Sequence, residues 1–298
     1  MLSYITWTAD PTAFRIPLWG HEVRWYGIAF ALGFALGAWI VQKIWKNEKL
    51  EEAWFDKLFL YVIISATVGA RLGHCLFYAW EPLTQPVEWL GITFKYYNPY
   101  LAHPIDLIKV WEGGLASHGG TLGIIIAVWI YSRKVTHKSL LWTFDRLVVP
   151  VGFVGALIRL GNLMNSEIYG HATTLSWGFK FVNDRGNCWH DNPCYDWATT
   201  AVHPTQLYEA FFYILVGFLC LWMYWKRKDY QYPGLIFGVF LIGIFLSRFF
   251  IEYFKNTQES FENNWVLNMG QWLSVPFIIA GIILIYNGLR AKRIHAKP

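Results

Sequence analysis

Residues 151–170 read VGFVGALIRLGNLMNSEIYG. The first half is an apolar run that reads as a membrane-buried helix. Arg159, Asn162, Asn165 and Glu167 then arrive near its far end. A guanidinium at bilayer depth costs about 2.5–3.5 kcal/mol on insertion scales, so it calls for a partner or a polar ligand. Groups of the same kind recur at Arg71, His118, His203, Glu209, Arg248 and Glu252. Together they point to one polar site inside an otherwise apolar protein.

The composition extends this reading to the whole chain. Of 298 residues, 55% are hydrophobic and only 15% are charged, whereas soluble domains usually carry about 25% charged residues. Several apolar runs are long enough to cross a bilayer. The chain therefore reads as an all-α polytopic membrane protein, with residues 1–298 forming one integral membrane domain. The net charge of +5 is no nucleic-acid signal, because the basic residues cluster beside apolar segments. The 18 Trp and 17 Tyr suit interfacial belts and also packed cores. The opening, MLSYITWTADPTAFRIPLWG, lacks a basic stretch followed by an apolar core, so no cleavable signal peptide is expected. The first span, from near Trp25, is expected to serve as an uncleaved membrane signal.

Seven spans can be drawn, at approximately 24–45, 54–79, 118–132, 142–163, 205–225, 233–254 and 271–290. The third is short, and its HGG opening suits a re-entrant or broken helix end. Basic residues follow alternate spans: Lys43, Lys46 and Lys49; Arg133, Lys134 and Lys138; Lys226, Arg227 and Lys228; Arg290, Lys292, Arg293 and Lys297. The positive-inside rule makes that side cytoplasmic, with the N-terminus outside and the C-terminus inside. The long connections at roughly 80–117 and 164–204 then both face outward. The first contains Pro82, Pro86, Pro99 and Pro104 and reads as an irregular arm with short surface helices; the second is a polar, turn-rich loop. Cys75 and Cys220 fall in apolar runs and read as small buried hydrophobes. Cys188 and Cys194 lie in the polar loop, where a disulfide is open if the compartment is oxidising. His190 lies between them, but the spacing matches no familiar zinc pattern.

Several short motifs bring the chemistry. Gly69-Ala70-Arg71-Leu72-Gly73 sits in the second span; glycines four apart let another helix approach closely, while packing alone does not explain Arg71. Ser117-His118-Gly119-Gly120, continued by Gly123, sets an imidazole beside bare backbone, which suits close ligand approach or an unusual turn. A histidine at a membrane helix end is also often merely interfacial. Arg159 and Asn162 share a helix face. Asn165 and Glu167 fall where that helix should end, and Gly170 is a candidate terminator. A salt-bridged helix end is the plain alternative. His203-Pro204-Thr205-Gln206-Leu207-Tyr208-Glu209 opens the fifth span, with Thr205 a candidate cap and His203 and Glu209 as ionisable groups at the rim. Arg248 and Glu252, four apart, can satisfy each other, or Glu252 can orient Arg248 toward a bound anion. With the orientation above, all these groups lie near outer ends of spans. Three arginines at one depth in lipid suit a phosphate or carboxylate headgroup, which makes an anionic phospholipid the natural ligand.

These motifs, in this order, resemble the bacterial prolipoprotein diacylglyceryl transferases over nearly the whole chain. The resemblance rests on Arg24-Trp25-Tyr26-Gly27, Gly69 to Gly73, His118-Gly119-Gly120, Arg159-Leu160-Gly161-Asn162 through Asn165, Glu167 and Gly170, His203 to Glu209, and Arg248 with Glu252. It implies a multi-pass enzyme of the bacterial inner membrane, with its active site toward the periplasmic leaflet. Such an enzyme moves the diacylglyceryl group of phosphatidylglycerol to the lipobox cysteine thiol of a prolipoprotein and releases glycerol 1-phosphate. The implied partners are phosphatidylglycerol, other membrane lipid and the signal-peptide segment carrying the lipobox; no nucleic acid, metal or organic cofactor is expected. His118, Arg159, Arg248, Glu167 and Glu252 take the catalytic roles on this resemblance. Tyr26, Arg71, Asn162, Asn165, Gly170, His203 and Glu209 are the substrate-binding candidates. The cysteine-bearing insert of the 171–202 loop departs from the family pattern.

The residue types fit such a reaction. A free thiol has a pKa near 8.5, so a base or a positive field helps to form thiolate. His118 is the first candidate base, with His203 or a carboxylate as alternatives. Arg159 and Arg248 would stabilise charge on the departing phosphate, Glu167 and Glu252 would hold the guanidiniums, and Asn162 could bind glycerol or phosphate. A transporter for an anionic or lipid-like solute would also use buried arginines, but it needs polar residues through the full thickness, and the inner halves of spans five to seven are nearly all apolar. An assembly protein would neutralise each arginine with a carboxylate.

Overall fold

The computed structural model describes residues 4–17, 22–89, 92–109, 114, 116–182, 200–255 and 266–295. Strands β1 (Ile5–Trp7), β2 (Thr12–Arg15) and β3 (Glu22–Arg24) precede helices α1 (Trp25–Asn47) and α2 (Glu52–Phe77). Then come β4 (Glu81–Trp89), β5 (Ile92–Tyr97), the short α3 (Pro99–Ala102), α4 (Ser117–Tyr131), α5 (Leu140–Met164) and β6 (Phe179–Phe181), followed by α6 (Thr205–Trp225), α7 (Leu235–Ile251) and α8 (Met269–His295). Each expected span meets one helix, with ends differing by a few residues, but the third meets one too short to be among the six that can cross a membrane. Helices α1, α2 and α5 to α8 are long and apolar enough to cross a membrane. Their backbone groups pair within the helix, as an environment without water demands. Outward side chains such as Phe211 and Phe218, each 59% exposed, and Ile282 at 55% are apolar where a soluble bundle would be polar. Helix α4 has 15 residues, about 22 Å, which is less than the ~30 Å hydrocarbon core. It opens regularly at Ser117 rather than as a broken end, and it runs on into a π-helical turn, Ser132–Thr136.

The chain falls into two compact units, residues 1–44 with 144–298 and residues 45–143. In the first, β1 pairs in parallel with β6, Ile5 opposite Phe179, and β2 pairs antiparallel with β3. Trp7 Nε1 donates to the Leu163 carbonyl at 3.1 Å. Trp7 thereby packs on a cluster of Leu163, Tyr169, Phe179, Phe181 and Val202 at the end of α5. At the far end of α7, the buried Asp145 carboxylate accepts from Gly234 N at 2.6 Å and Phe237 N at 2.8 Å, satisfying amides that the first turn of a helix leaves unpaired. The buried Asp229 holds Lys292 Nζ at 2.7 Å and Arg227 Nε at 2.9 Å, tying the α6–α7 connection to α8.

In the second unit α2 lies against α4 with almost no side chain between them. A Cβ on Gly69 would stand 2.5 Å from the Gly119 carbonyl, and one on Gly73 would stand 2.7 Å from the Gly119 Cα. The glycines of both motifs thus serve close helix approach. Between these helices the proline-bearing arm has the short helices expected, Pro99–Ala102 and Pro104–Ile108, but in place of an irregular start it has paired strands. β4 and β5 form an antiparallel ribbon, Glu81 opposite Tyr97 and Trp89 opposite Ile92, with a register shift between Pro82 and Val87. A two-stranded ribbon has outward backbone positions on both strands, so proline need not break it. Cys75 and Cys220 are buried free thiols, as expected of small apolar residues; Cys188, Cys194 and His190 lie outside the described residues.

Candidate active site

Helix α5 carries Arg159 in its last turns and ends at Met164, six residues short of the terminator expected at Gly170. Backbone conformation explains the early stop. Ser166 and Ile168 adopt left-handed φ angles of 57° and 60°, which an L-residue, and a β-branched one above all, takes up only under constraint. The constraint comes from α6. Thr205 Oγ1 donates to the Ile168 carbonyl at 2.9 Å and Gln206 Nε2 to the Glu167 carbonyl at 2.6 Å. Thr205 is therefore the first residue of its helix and a clamp on the neighbouring loop, not the cap; Pro204 stands at the cap position. Gly170 donates its N–H to the His203 carbonyl at 2.8 Å and pairs with Lys255. A side chain there would collide with the Phe254 carbonyl, so only glycine fits that crossing.

The loop so held gathers charged groups from three helices. Arg159 Nε faces Glu209 Oε2 at 2.8 Å and Lys255 Nζ meets Glu209 Oε1 at 2.8 Å; Glu209 itself has no exposure. The Arg159 contact is an ion pair whose N–H is not aligned for a hydrogen bond, since Glu209 Oε2 accepts none. Glu252, also buried, lies 3.6 Å from Lys255 and 4.0 Å from Arg248. Arg248 is the most exposed cation of the group, at 32%, and the most loosely held. Tyr213, one turn beyond Glu209, is near enough to Arg159 for its phenol and the guanidinium to interact.

Beside this network the carboxylate of Glu167 takes amides rather than a guanidinium. Asn162 Nδ2 donates to its Oε1 at 2.7 Å and Asn165 Nδ2 at 3.3 Å, while Arg159 Nη1 donates to Asn162 Oδ1 at 3.3 Å. A chain of contacts therefore runs from Glu167 through Asn162 and Arg159 to Glu209 and Lys255. Tyr26 of α1 is near enough to Glu167 and Arg159 for both charges to act on its phenol. The buried oxygens Asn165 Oδ1, Gln206 Oε1 and Glu252 Oε2 accept no hydrogen bond among the described residues, an unusual concentration for one locality. His203 Nδ1 lies 3.2 Å from the Tyr208 hydroxyl, which accepts from Trp177 Nε1 at 3.0 Å. Burial first, and then nearby His171, holds the His203 imidazole below the usual histidine range.

Of the residues singled out in the sequence, Tyr26, Arg159, Asn162, Asn165, Glu167, Gly170, His203, Glu209, Arg248 and Glu252 thus share one neighbourhood of the first unit. Lys255 belongs there too and was missed by sequence reasoning; its only signal is a position three residues after Glu252. Arg71 and His118 belong to the second unit. Arg71 is 3% exposed. Its guanidinium donates to the carbonyls of Asp106 at 2.7 Å, Leu107 at 3.2 Å and Gly114 at 3.4 Å and lies 5.0 Å from the Tyr100 ring centroid. His118 is exposed in the first turn of α4. Among the described residues, no group of three or more His, Cys, Asp or Glu could hold a metal ion.

Comparison with known proteins matches residues 11–287 to the family model described as prolipoprotein diacylglyceryl transferase. Three similar relatives each bear the name phosphatidylglycerol–prolipoprotein diacylglyceryl transferase. The one from Porphyromonas gingivalis is 51% identical, over 97% of this chain and 96% of its own length. That from Tolumonas auensis is 43% identical, over 96% and 98%, and that from Chloroherpeton thalassium 41%, over 98% and 97%.

Proposed function

The chain belongs to the prolipoprotein diacylglyceryl transferase family, and from that premise we propose that it moves the diacylglyceryl group of phosphatidylglycerol onto the lipobox cysteine thiol of a prolipoprotein. In this reaction the thiol sulfur attacks the glycerol carbon that carries the phosphate. A thioether C–S bond forms, the C–O bond breaks, and its electron pair leaves on the oxygen of glycerol 1-phosphate. The thiol proton passes to a base, for which His118 is the assigned residue.

One observation carries the reading: Arg159, Arg248 and Lys255, from α5, α7 and the turn after α7, converge on Glu209 and Glu252. Glu209 holds Arg159 and Lys255 at 2.8 Å before the ligand arrives, so these two need little reorganisation when charge develops on the departing phosphate. Arg248 is the cation best exposed to meet that phosphate. The side-chain oxygens of Asn165 and Gln206, which accept no hydrogen bond among the described residues, suit hydroxyls such as those of the glycerol headgroup. Orientation follows the basic residues: the ends of α1, α4, α6 and α8 are cytoplasmic, and the cluster then faces the periplasmic leaflet of the bacterial inner membrane. Arg71, with its guanidinium engaged by carbonyls, is assigned to hold the arm.

The test is product identity. Purified chain in vesicles of phosphatidylglycerol, given a lipobox peptide, is expected to add one diacylglyceryl mass to the peptide and to release glycerol phosphate. The same peptide with cysteine replaced by serine should gain nothing. Absence of the thioether, or equal modification of the serine peptide, would overturn the reading.

A further inference from the structure

The second unit carries a basic concavity that the transfer chemistry leaves without a role. It lies at the end of α4 remote from His118, where the chain passes through the π-helical turn Ser132–Thr136 and reverses at His137, whose φ is 54°. Wide helical turns of this kind occur often at functional sites. The concavity has a volume of about 710 Å³ and is lined by Trp129, Ser132, Arg133, His137, Lys138 and Ser139, among others.

Its lining combines an aromatic ring with basic side chains. Trp129 is 51% exposed and the Arg133 guanidinium sits 6.0 Å from its ring centroid, an arrangement that steadies a long cationic side chain over an apolar surface. Arg133 and Lys138 are both exposed, and neither has a carboxylate partner among the described residues. The backbone beneath them is pinned by polar contacts. Ser132 and Thr143 share a hydrogen bond of 3.1 Å, Ser139 Oγ accepts from Trp142 N at 3.1 Å, and Thr136 Oγ1 accepts from Lys138 N at 3.3 Å. Cations scattered by the positive-inside bias need neither a cavity nor a fixed scaffold.

We propose that this concavity is a phosphate site occupied by the headgroup of an anionic phospholipid, with Arg133 and Lys138 on the phosphate and Trp129 beside the glycerol and upper acyl chains. Basic pockets beside membrane helices on the cytoplasmic side recognise such headgroups, and tryptophan favours that depth. The inference requires that the chain be a membrane protein with this end of α4 on the cytoplasmic side, and not that it catalyse the transfer, so it stands or falls apart from the transferase reading.

Native mass spectrometry of the purified full-length chain titrated with dioleoyl phosphatidic acid tests it. Phosphatidic acid carries the phosphate but lacks the glycerol headgroup of the transfer donor. The double variant Arg133→Gln with Lys138→Gln is expected to retain it at least tenfold more weakly, with dioleoyl phosphatidylcholine unaffected and transfer to a lipobox peptide unchanged. Arg293→Gln, an exposed charge outside the concavity, is expected to change nothing, and millimolar inorganic phosphate should not displace the lipid. Undiminished retention in the double variant overturns the proposal. So does an equal loss in Arg293→Gln, which would make the attraction diffuse, or displacement by inorganic phosphate, which would make free anion the ligand. A circular dichroism spectrum matching the parent chain certifies each variant as folded before titration.

Discussion

Glu209 has no exposure, yet both its carboxylate oxygens face cations at 2.8 Å. Removing its charge takes the carboxylate from Arg159 and leaves Lys255 only Glu252 at 3.6 Å, and losing one partner of a buried pair typically costs about 3–5 kcal/mol. Glu209→Gln is therefore expected to lower the melting temperature in detergent substantially, beyond its loss of activity; an unchanged melt would mean that the pair is not held as described. His203 gives a pH readout at the same scale. Burial, with His171 beside it, lowers the affinity of its ring for a proton, so the imidazole stays neutral on acidification until below the ordinary midpoint near 6.5. The folded state then binds fewer protons than the unfolded chain in that window, and the contribution of His203 to stability, present above about pH 6.5, falls as pH drops. Nitrogen-15 spectra of labelled histidine should show one resonance, lost in His203→Gln, that titrates below that midpoint. A midpoint above it contradicts the assignment.

The seam between α2 and α4 is built on glycine backbones in contact. Gly119→Leu would force side-chain atoms into Gly69 and Gly73, and overpacking of this kind costs about 1–3 kcal/mol or more; the measurable outcome is a lower unfolding temperature. At α7, Asp145→Ala removes the acceptor of two N–H groups at the helix start, at about 1–2 kcal/mol, again read as a lower melt. Elements of this size were the most legible in the sequence. A bilayer admits only long, internally bonded helices, so hydropathy located them, and the four-residue glycine spacing announced the seam. The i to i+3 relation of Arg159 and Asn162 likewise foretold their contact. Asp145 could not be read, because the helix that it caps begins 90 residues later. Lys255 and the pairing of Glu209 with Arg159 were hidden for the same reason, as were the clamp of Thr205 and Gln206 on residues 167–168 and the ribbon formed by the proline-bearing arm. Each depends on chain reversals that local pattern does not encode.

On the scale of the whole molecule, the proposed orientation rests on the basic ends of α1, α4, α6 and α8. A reporter that fluoresces only in the cytoplasm, fused after Pro298, is expected to light; a dark fusion would invert the topology and turn the cation cluster toward the wrong leaflet. Family membership over residues 11–287 makes the chain a transferase, and the claim on which the rest depends is that guanidiniums fixed by buried carboxylates stabilise the phosphate that departs. The most direct measurement is the rate of thioether formation in a single turnover, with phosphatidylglycerol saturating, for Arg159→Gln and Arg248→Gln. Loss of one preorganised donor to developing charge usually slows chemistry by about 10²–10³-fold, and a fall of that size is predicted for each variant. Thioether formation at the parent rate with both guanidiniums removed would contradict the account.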